Sequence, residues 1–174
     1  MCLAVNMLPT LSTERLTLVP LTDQHLPFEI ELDTNPDVMK YVTGQPRTED
    51  EVLVAHAHRL SLPASSPRGF WVGLLDDKPI GLWMLLPTGT DTEAELGYRL
   101  APEAWHKGFA TEGSFAVLRF AFGVLGLRKM RALAAEEHER TRRTLEGLGF
   151  RCVGRDGEDV LYEMTADEWR GSRS

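Results

Sequence analysis

Cysteine is nearly absent from this 174-residue chain, which holds Cys2 and Cys152 alone. The two thiols form no metal-ligand spacing and no disulfide framework, which fits a reducing, cytoplasmic setting. No run of about 18 apolar residues occurs, so no membrane span is expected. The opening residues, Met1 to Leu8, lack a basic start and a long apolar stretch and do not read as a signal peptide. Positive charge is the minority sign: 19 Lys and Arg stand against 26 Asp and Glu, for a formal net charge of -7. Non-specific nucleic-acid binding rests on clustered Lys and Arg, so nucleic acid is not an expected partner. Two phosphate-binding patterns are also missing, the G-x-x-x-x-G-K-[ST] loop and the dinucleotide G-x-G-x-x-G. His56 and His58 are the nearest approach to a metal pair, but residues two apart on a helix point in different directions. No metal is expected.

What the chain does contain fits one compact domain. At this length a single core buries roughly 70% of the surface of the unfolded chain, and 43% hydrophobic with 26% charged residues is ordinary for such a core. Alternation over residues 15–20 predicts a first strand. Helices follow from Thr22-Asp23, from Asn35-Pro36 and from Thr48, each opened by a capping residue. Residues 70–75 and 80–86 read as a hairpin around Asp76-Asp77-Lys78-Pro79, and residues 92–100 as a further strand. A long helix is expected over 108–125, with Phe115, Leu118, Phe122 and Leu125 on one face. A strand at 128–134, a helix at 139–148 stopped by Gly149, and two closing strands complete the order. Hairpins come first and helical crossovers later, which predicts a mixed-sheet α/β (α+β) fold.

The stretch that carries chemistry is Trp105-His106-Lys107-Gly108-Phe109-Ala110-Thr111-Glu112. A strand ends, a glycine turn follows and a long helix starts. Its first N–H groups lack partners inside the helix, and the helix dipole adds partial positive charge, so the junction suits an anion. A plain strand–turn–helix junction with a Gly and a Lys is the alternative reading of the same residues.

This loop resembles the pyrophosphate loop of GNAT acetyltransferases, with pattern Q/R-x-x-G-x-G/A, and is most similar to the RimJ/RimL-type branch. Thr13-Glu14-Arg15-Leu16 resembles that branch's opening strand. Glu95-Leu96-Gly97-Tyr98 resembles the strand before the loop, and Leu145-Glu146-Gly147-Leu148-Gly149-Phe150 the end of the last helix. The resemblance implies a mixed, mostly antiparallel sheet of about six to seven strands, splayed in the middle and flanked by helices. It implies a single domain over residues 13–165, between an N-terminal extension (1–12) and a C-terminal tail (166–174). It further implies an N-acetyltransferase that moves acetyl from acetyl-CoA to an amine, either a small molecule or a protein N-terminus, with a homodimer open. A catalytically silent acyl-CoA sensor of the same fold is the alternative.

Residue by residue, the resemblance assigns the coenzyme A pyrophosphate to the backbone of His106, Lys107, Gly108, Phe109, Ala110 and Thr111. It assigns the pantetheine arm to the backbone of Tyr98, Arg99 and Leu100, as an added strand. Where the family often has Asn and then Ser three positions on, this chain has His138 and Thr141. His138 is expected to donate to the cofactor, and Thr141 to orient or protonate the sulfur or else to pack in the core. An amine with a pKa near 10.4 must lose a proton before it attacks. Glu95, on the polar side of its strand, is the candidate base or else a solvated strand glutamate, with Glu93 in reserve. Residues 36–62 are the expected acceptor wall. Trp71, Trp83 and Cys152 are expected in the core.

Overall fold

The computed structural model describes residues 8–62 and 68–173. Cys2, most of the expected extension 1–12, and the loop around Pro63 lie outside them. The elements are β1 (Leu11–Ser12), β2 (Thr17–Pro20), α1 (Leu26–Asp33), α2 (Pro36–Met39), α3 (Glu49–Leu60), β3 (Gly69–Leu75), β4 (Lys78–Pro87), β5 (Glu93–Leu100), α4 (Phe109–Arg119), β6 (Lys129–Ala135), α5 (Glu139–Leu148), β7 (Arg151–Asp156), β8 (Asp159–Thr165) and α6 (Ala166–Gly171). They build one open sheet of eight strands in the order β1-β2-β3-β4-β5-β6-β8-β7. The two-residue β1 adds an edge strand to the expected set, and all neighbours are antiparallel except β5 and β6.

Local chemistry sets most boundaries. Thr48 and Glu51 form a capping box at the start of α3, and the Asn35 side chain accepts from the amides of Asp37 and Val38 before α2. The β3–β4 turn needs only Asp76 and Asp77, both at positive φ (49° and 65°), so β4 begins at Lys78, earlier than the sequence suggests. The long helix expected over 108–125 is broken. α4 ends at Arg119 and a π-helical turn, Phe120–Val124, carries the chain to Leu125, whose amide bonds the Phe120 carbonyl. Phe120, Ala121 and Phe122 stay buried across that change of pitch.

Both faces of the sheet are covered. α4, α5 and α6 pack on one face around Trp71, Trp83, Val117, Leu118, Leu145 and Tyr162. α1 and α2 cover part of the other face around Phe28, Leu32, Met39, Val72 and Leu82. Trp71 and Trp83 are fully buried, as their strand positions suggest. Cys152 is not in the core: it is exposed, because β7 is an edge strand whose residues all face solvent.

Ion pairing ties the second face together. Glu29 and Asp33 of α1 are wholly buried. Asp33 Oδ2 accepts from Arg47 and Arg59, and its Oδ1 accepts from Arg99 of β5, at 3.0, 3.0 and 2.9 Å. Glu29 binds Arg59 and His56, and His56 Nε2 lies 2.9 Å from Asp23. Burial alone would lower the pKa of His56, but hydrogen bonds and charge from Asp23 and Glu29 outweigh it and raise it. Burial pulls Arg99 down to about 10 against the attraction of Asp33, which leaves it cationic at neutral pH. Buried carboxylates require such partners, and these partners lock α1, α3 and the residues around Arg47 onto β5.

α4 is seated by one close approach. A Cβ added to Gly113 would lie 2.3 Å from the indole of Trp83, whose Nε1 donates to Ser114 Oγ at 3.3 Å. Alanine favours a helix over glycine by about 1 kcal/mol, but here the clash meets a rigid, buried ring. Gly113→Ala is therefore expected to destabilise the fold by about 1–3 kcal/mol. Thermal unfolding should register this as a fall of roughly 2–4 °C per kcal/mol; an unchanged or raised Tm would refute the packing argument.

Candidate active site

β5 and β6 pair in parallel only from Glu93↔Lys129 to Leu96↔Ala132. Beyond that they part. β5 continues to Leu100 on its other partner β4, and β6 continues to Ala135 on β8. The edge of residues 97–100 that faces β6 is thus left without a strand, and its backbone groups line a cleft.

The chain then turns through Pro102–Ala104 into the loop before α4. His106 and Gly108 both take positive φ (62° and 82°), and Gly108 is the N-cap of α4 with no side-chain cap. Among the described residues, none of the backbone N–H groups from His106 to Thr111 has an acceptor. This is a run of donors beside the positive end of a helix dipole. Trp105 Nε1 donates to the Leu100 carbonyl at 3.0 Å and so pins the loop to the end of β5.

The opening motif docks here. Glu112, in the first turn of α4, accepts from Thr13 Oγ1 at 2.6 Å and from the backbone and Nε of Arg15, each at 2.7 Å. These bonds overcome the effect of burial and lower the Glu112 pKa. Arg15 also lies over the Phe109 ring, 4.2 Å from its centroid. Residues 13–16 thereby brace the loop from about a hundred positions away in sequence.

Two cavities meet at the cleft. The first is lined by Tyr98, Arg99, Leu100, His106, Gly108, Phe109, Ala110, Thr111, His138 and Thr141, together with Trp105, Arg140 and Thr144. Ten of the sequence-derived site residues thus surround one space. Lys107 does not line it, because its Nζ donates to the Glu103 carbonyl at 2.8 Å. The second cavity is lined by Glu95, Gly97, Ala134, Asp159 and again Tyr98, Arg99, His138 and Thr141.

Glu95 faces this second cavity. Burial raises its pKa, and Asp156 and Asp159 push the same way, while Arg131, with Nε 3.2 Å from the carboxylate, opposes them. Thr141 Oγ1 lies 3.0 Å from His138 Nδ1 and accepts from the Tyr98 hydroxyl at 3.4 Å. If the Thr141 hydroxyl donates to Nδ1, the imidazole carries its proton on Nε2. Burial and nearby Arg140 push His138 down to about 4, so the ring is neutral at physiological pH.

Sequence reasoning missed Arg140. Its guanidinium lies over the Trp105 ring, 4.4 Å from the centroid, and it lines the first cavity. The arginine-rich run Arg140, Arg142, Arg143 gave the only signal, and spacing alone does not say which of the three turns inward. Among the described residues, no group of three or more His, Cys, Asp or Glu could hold a metal ion.

Comparison with known proteins agrees with this fold. The acetyltransferase (GNAT) domain family model matches residues 15–151. The FsC-acetyl coenzyme A-N(2)-transacetylase of Aspergillus fumigatus is 34% identical over 183 residues, covering 92% of this chain and 78% of the relative. Spermidine N(1)-acetyltransferase of Escherichia coli is 28% identical over 154 residues, covering 88% and 80%. The crystal structure of an acetyltransferase from Agrobacterium tumefaciens is 25% identical with a TM-score of 0.80, over 90% of this chain and 94% of that one. A spermidine N-acetyltransferase from Vibrio cholerae, solved with CoA and spermine, shares the fold at a TM-score of 0.75 and 23% identity, over 90% and 98%.

Removing the Arg140 guanidinium is expected to weaken coenzyme A binding about tenfold, the cost of one charge-assisted hydrogen bond. Gly108→Glu should weaken it further, by adding a carboxylate and a Cβ at positive φ beside the donors. Calorimetric titration of coenzyme A checks both; unchanged affinity in the pair would mean the diphosphate sits elsewhere.

Proposed function

Because the chain belongs to the GNAT acetyltransferase family, we propose that it moves an acetyl group from acetyl-CoA to a primary amine by direct attack, in a ternary complex at the β5–β6 splay. One observation carries this reading: the strand edge at 97–100 that has no strand beside it leads into a loop whose amides from 106 to 111 have no acceptor among the described residues. A diphosphate followed by an amide-bearing arm is the ligand that would use both.

The roles follow from position. The amides of His106 to Thr111 and the Arg140 side chain hold the diphosphate. The backbone of Tyr98, Arg99 and Leu100 pairs with the pantetheine arm, and a β5 amide near Tyr98 steadies the thioester oxygen as charge develops. His138 donates through Nε2–H toward that arm. The amine enters by the second cavity, where Glu95 and Asp159 favour a cationic acceptor. Glu95 takes a proton from the ammonium, and the neutral nitrogen attacks the carbonyl carbon. The C–N bond forms, the C–S bond breaks, and the second proton of the nitrogen passes to the departing thiolate through the Thr141 hydroxyl, which gives up one proton as it takes another. Within the family, the four motifs in order support the RimJ/RimL-type branch, and the two-cysteine composition supports a cytoplasmic setting.

The raised Glu95 pKa gives a signed pH dependence. The carboxylate acts only when deprotonated, so turnover falls as pH drops through a value above the ordinary 4.5. Glu95→Gln should lower kcat by about 10²-fold or more and remove this acidic limb, while coenzyme A affinity stays unchanged. Thiol release across a panel of amines as a function of pH is the measurement. Wild-type kcat in Glu95→Gln would exclude Glu95 as the base. Tight coenzyme A binding with no turnover on any amine would favour the silent sensor.

A further inference from the structure

Tyr41 lies outside every motif noted in the sequence. Its ring nonetheless stacks on His138, with centroids 4.4 Å apart and planes 17° from parallel. Lys40 Nζ lies 5.1 Å from the same ring's centroid. With His138 covering one face, the ammonium must approach another part of the ring, so Tyr41 is held by contacts on more than one side.

Its location gives that contact a consequence. Tyr41, Val42, Tyr98, Arg99, His138 and Thr141 line both the cofactor-side cavity and the acceptor-side cavity. They form the junction through which the two spaces communicate. Tyr98 and Arg99 come from β5, and His138 and Thr141 from the start of α5. Tyr41 and Val42 alone come from the acceptor wall, and Tyr41 reaches across the opening to the α5 side. Its base does not swing freely, since the segment it begins is tied down at Arg47, whose amide and guanidinium both bind Asp33.

Resting on the acetyl-transfer reading, we propose that Tyr41 determines acceptor specificity: its ring, fixed against His138, narrows the junction so that an unbranched primary amine reaches the thioester and an amine branched at the α-carbon does not. The argument is steric. A ring stacked on His138 resists displacement by an extra methyl group beside the attacking nitrogen. Its discrimination should resemble that of other packed pockets, about 10- to 200-fold per methyl-sized group.

The test uses n-butylamine and sec-butylamine as acceptors, with the full chain and saturating acetyl-CoA. Wild type should favour n-butylamine in kcat/KM. Tyr41→Ala should gain activity on sec-butylamine and lower the ratio at least about tenfold, whereas Tyr41→Phe, which keeps the ring, should retain the ratio. Tyr41→Leu serves as a second truncation should the alanine variant fold poorly. No gain on sec-butylamine in either truncation, or loss of the ratio in Tyr41→Phe, overturns the proposal. Coenzyme A titration of each variant separates the two readings. If wild type fails to bind coenzyme A, the acetyl-transfer reading itself falls; if all variants bind it alike and the ratio does not move, only the role of Tyr41 falls.

Discussion

The site depends on two strands being held apart by their other neighbours. β5 follows β4 to Gly81↔Leu100, and β6 follows β8 to Ala135↔Asp159, so each stays with its own half of the sheet once Leu96 and Ala132 have passed. Leaving strand edges unpaired is costly unless water or a ligand satisfies them. The sheet bears that cost because each half is anchored in a core. Trp83 and Leu96 on one side, and Met130, Tyr162 and Leu145 on the other, are buried in the same cluster and fix both halves against α4 and α5. A cleft in the middle of a sheet can therefore persist without collapsing into continuous pairing.

The acceptor side is held by a different force. α1 and α2 bury few apolar residues, and charge supplies the rest of their attachment. Asp33 receives three guanidiniums, including that of Arg99 next to the cleft. Removing one partner from a buried pair is far more damaging than the pair's net worth suggests. The cluster therefore works as a set of fixed points that locates the proposed acceptor wall relative to β5. The same wall carries Tyr41 to the junction of the two cavities.

On the cofactor side, the opening motif and the loop motif turn out to be one structure. Thr13 and Arg15 bind Glu112, and Arg15 covers Phe109. The connection between β1 and β2, far off in sequence, thus braces the first turn of α4 while leaving its amides open. Lys107 shows the limit of reading a loop by composition. Its charge suggests a phosphate ligand, yet its ammonium turns back to a carbonyl of the preceding turn.

Much of the fold was legible because its signals are local. Capping residues, the alternation in β5 and the glycine before α4 act on their immediate neighbours, so the order of elements and the donor loop follow from the residues in line. The eighth strand, the π-turn after Arg119 and the exposure of Cys152 were not legible, since each depends on what lies beside the segment in space. By itself the sequence determined a strand, a glycine loop and a helix whose first amides have no partner within the helix. Only the tertiary structure decided that Arg140 lies over Trp105 and lines the first cavity, that Arg131 opposes the raised pKa of Glu95 and that Tyr41 covers His138. Those contacts join residues far apart in the chain, and their geometry is set by packing that no local pattern encodes.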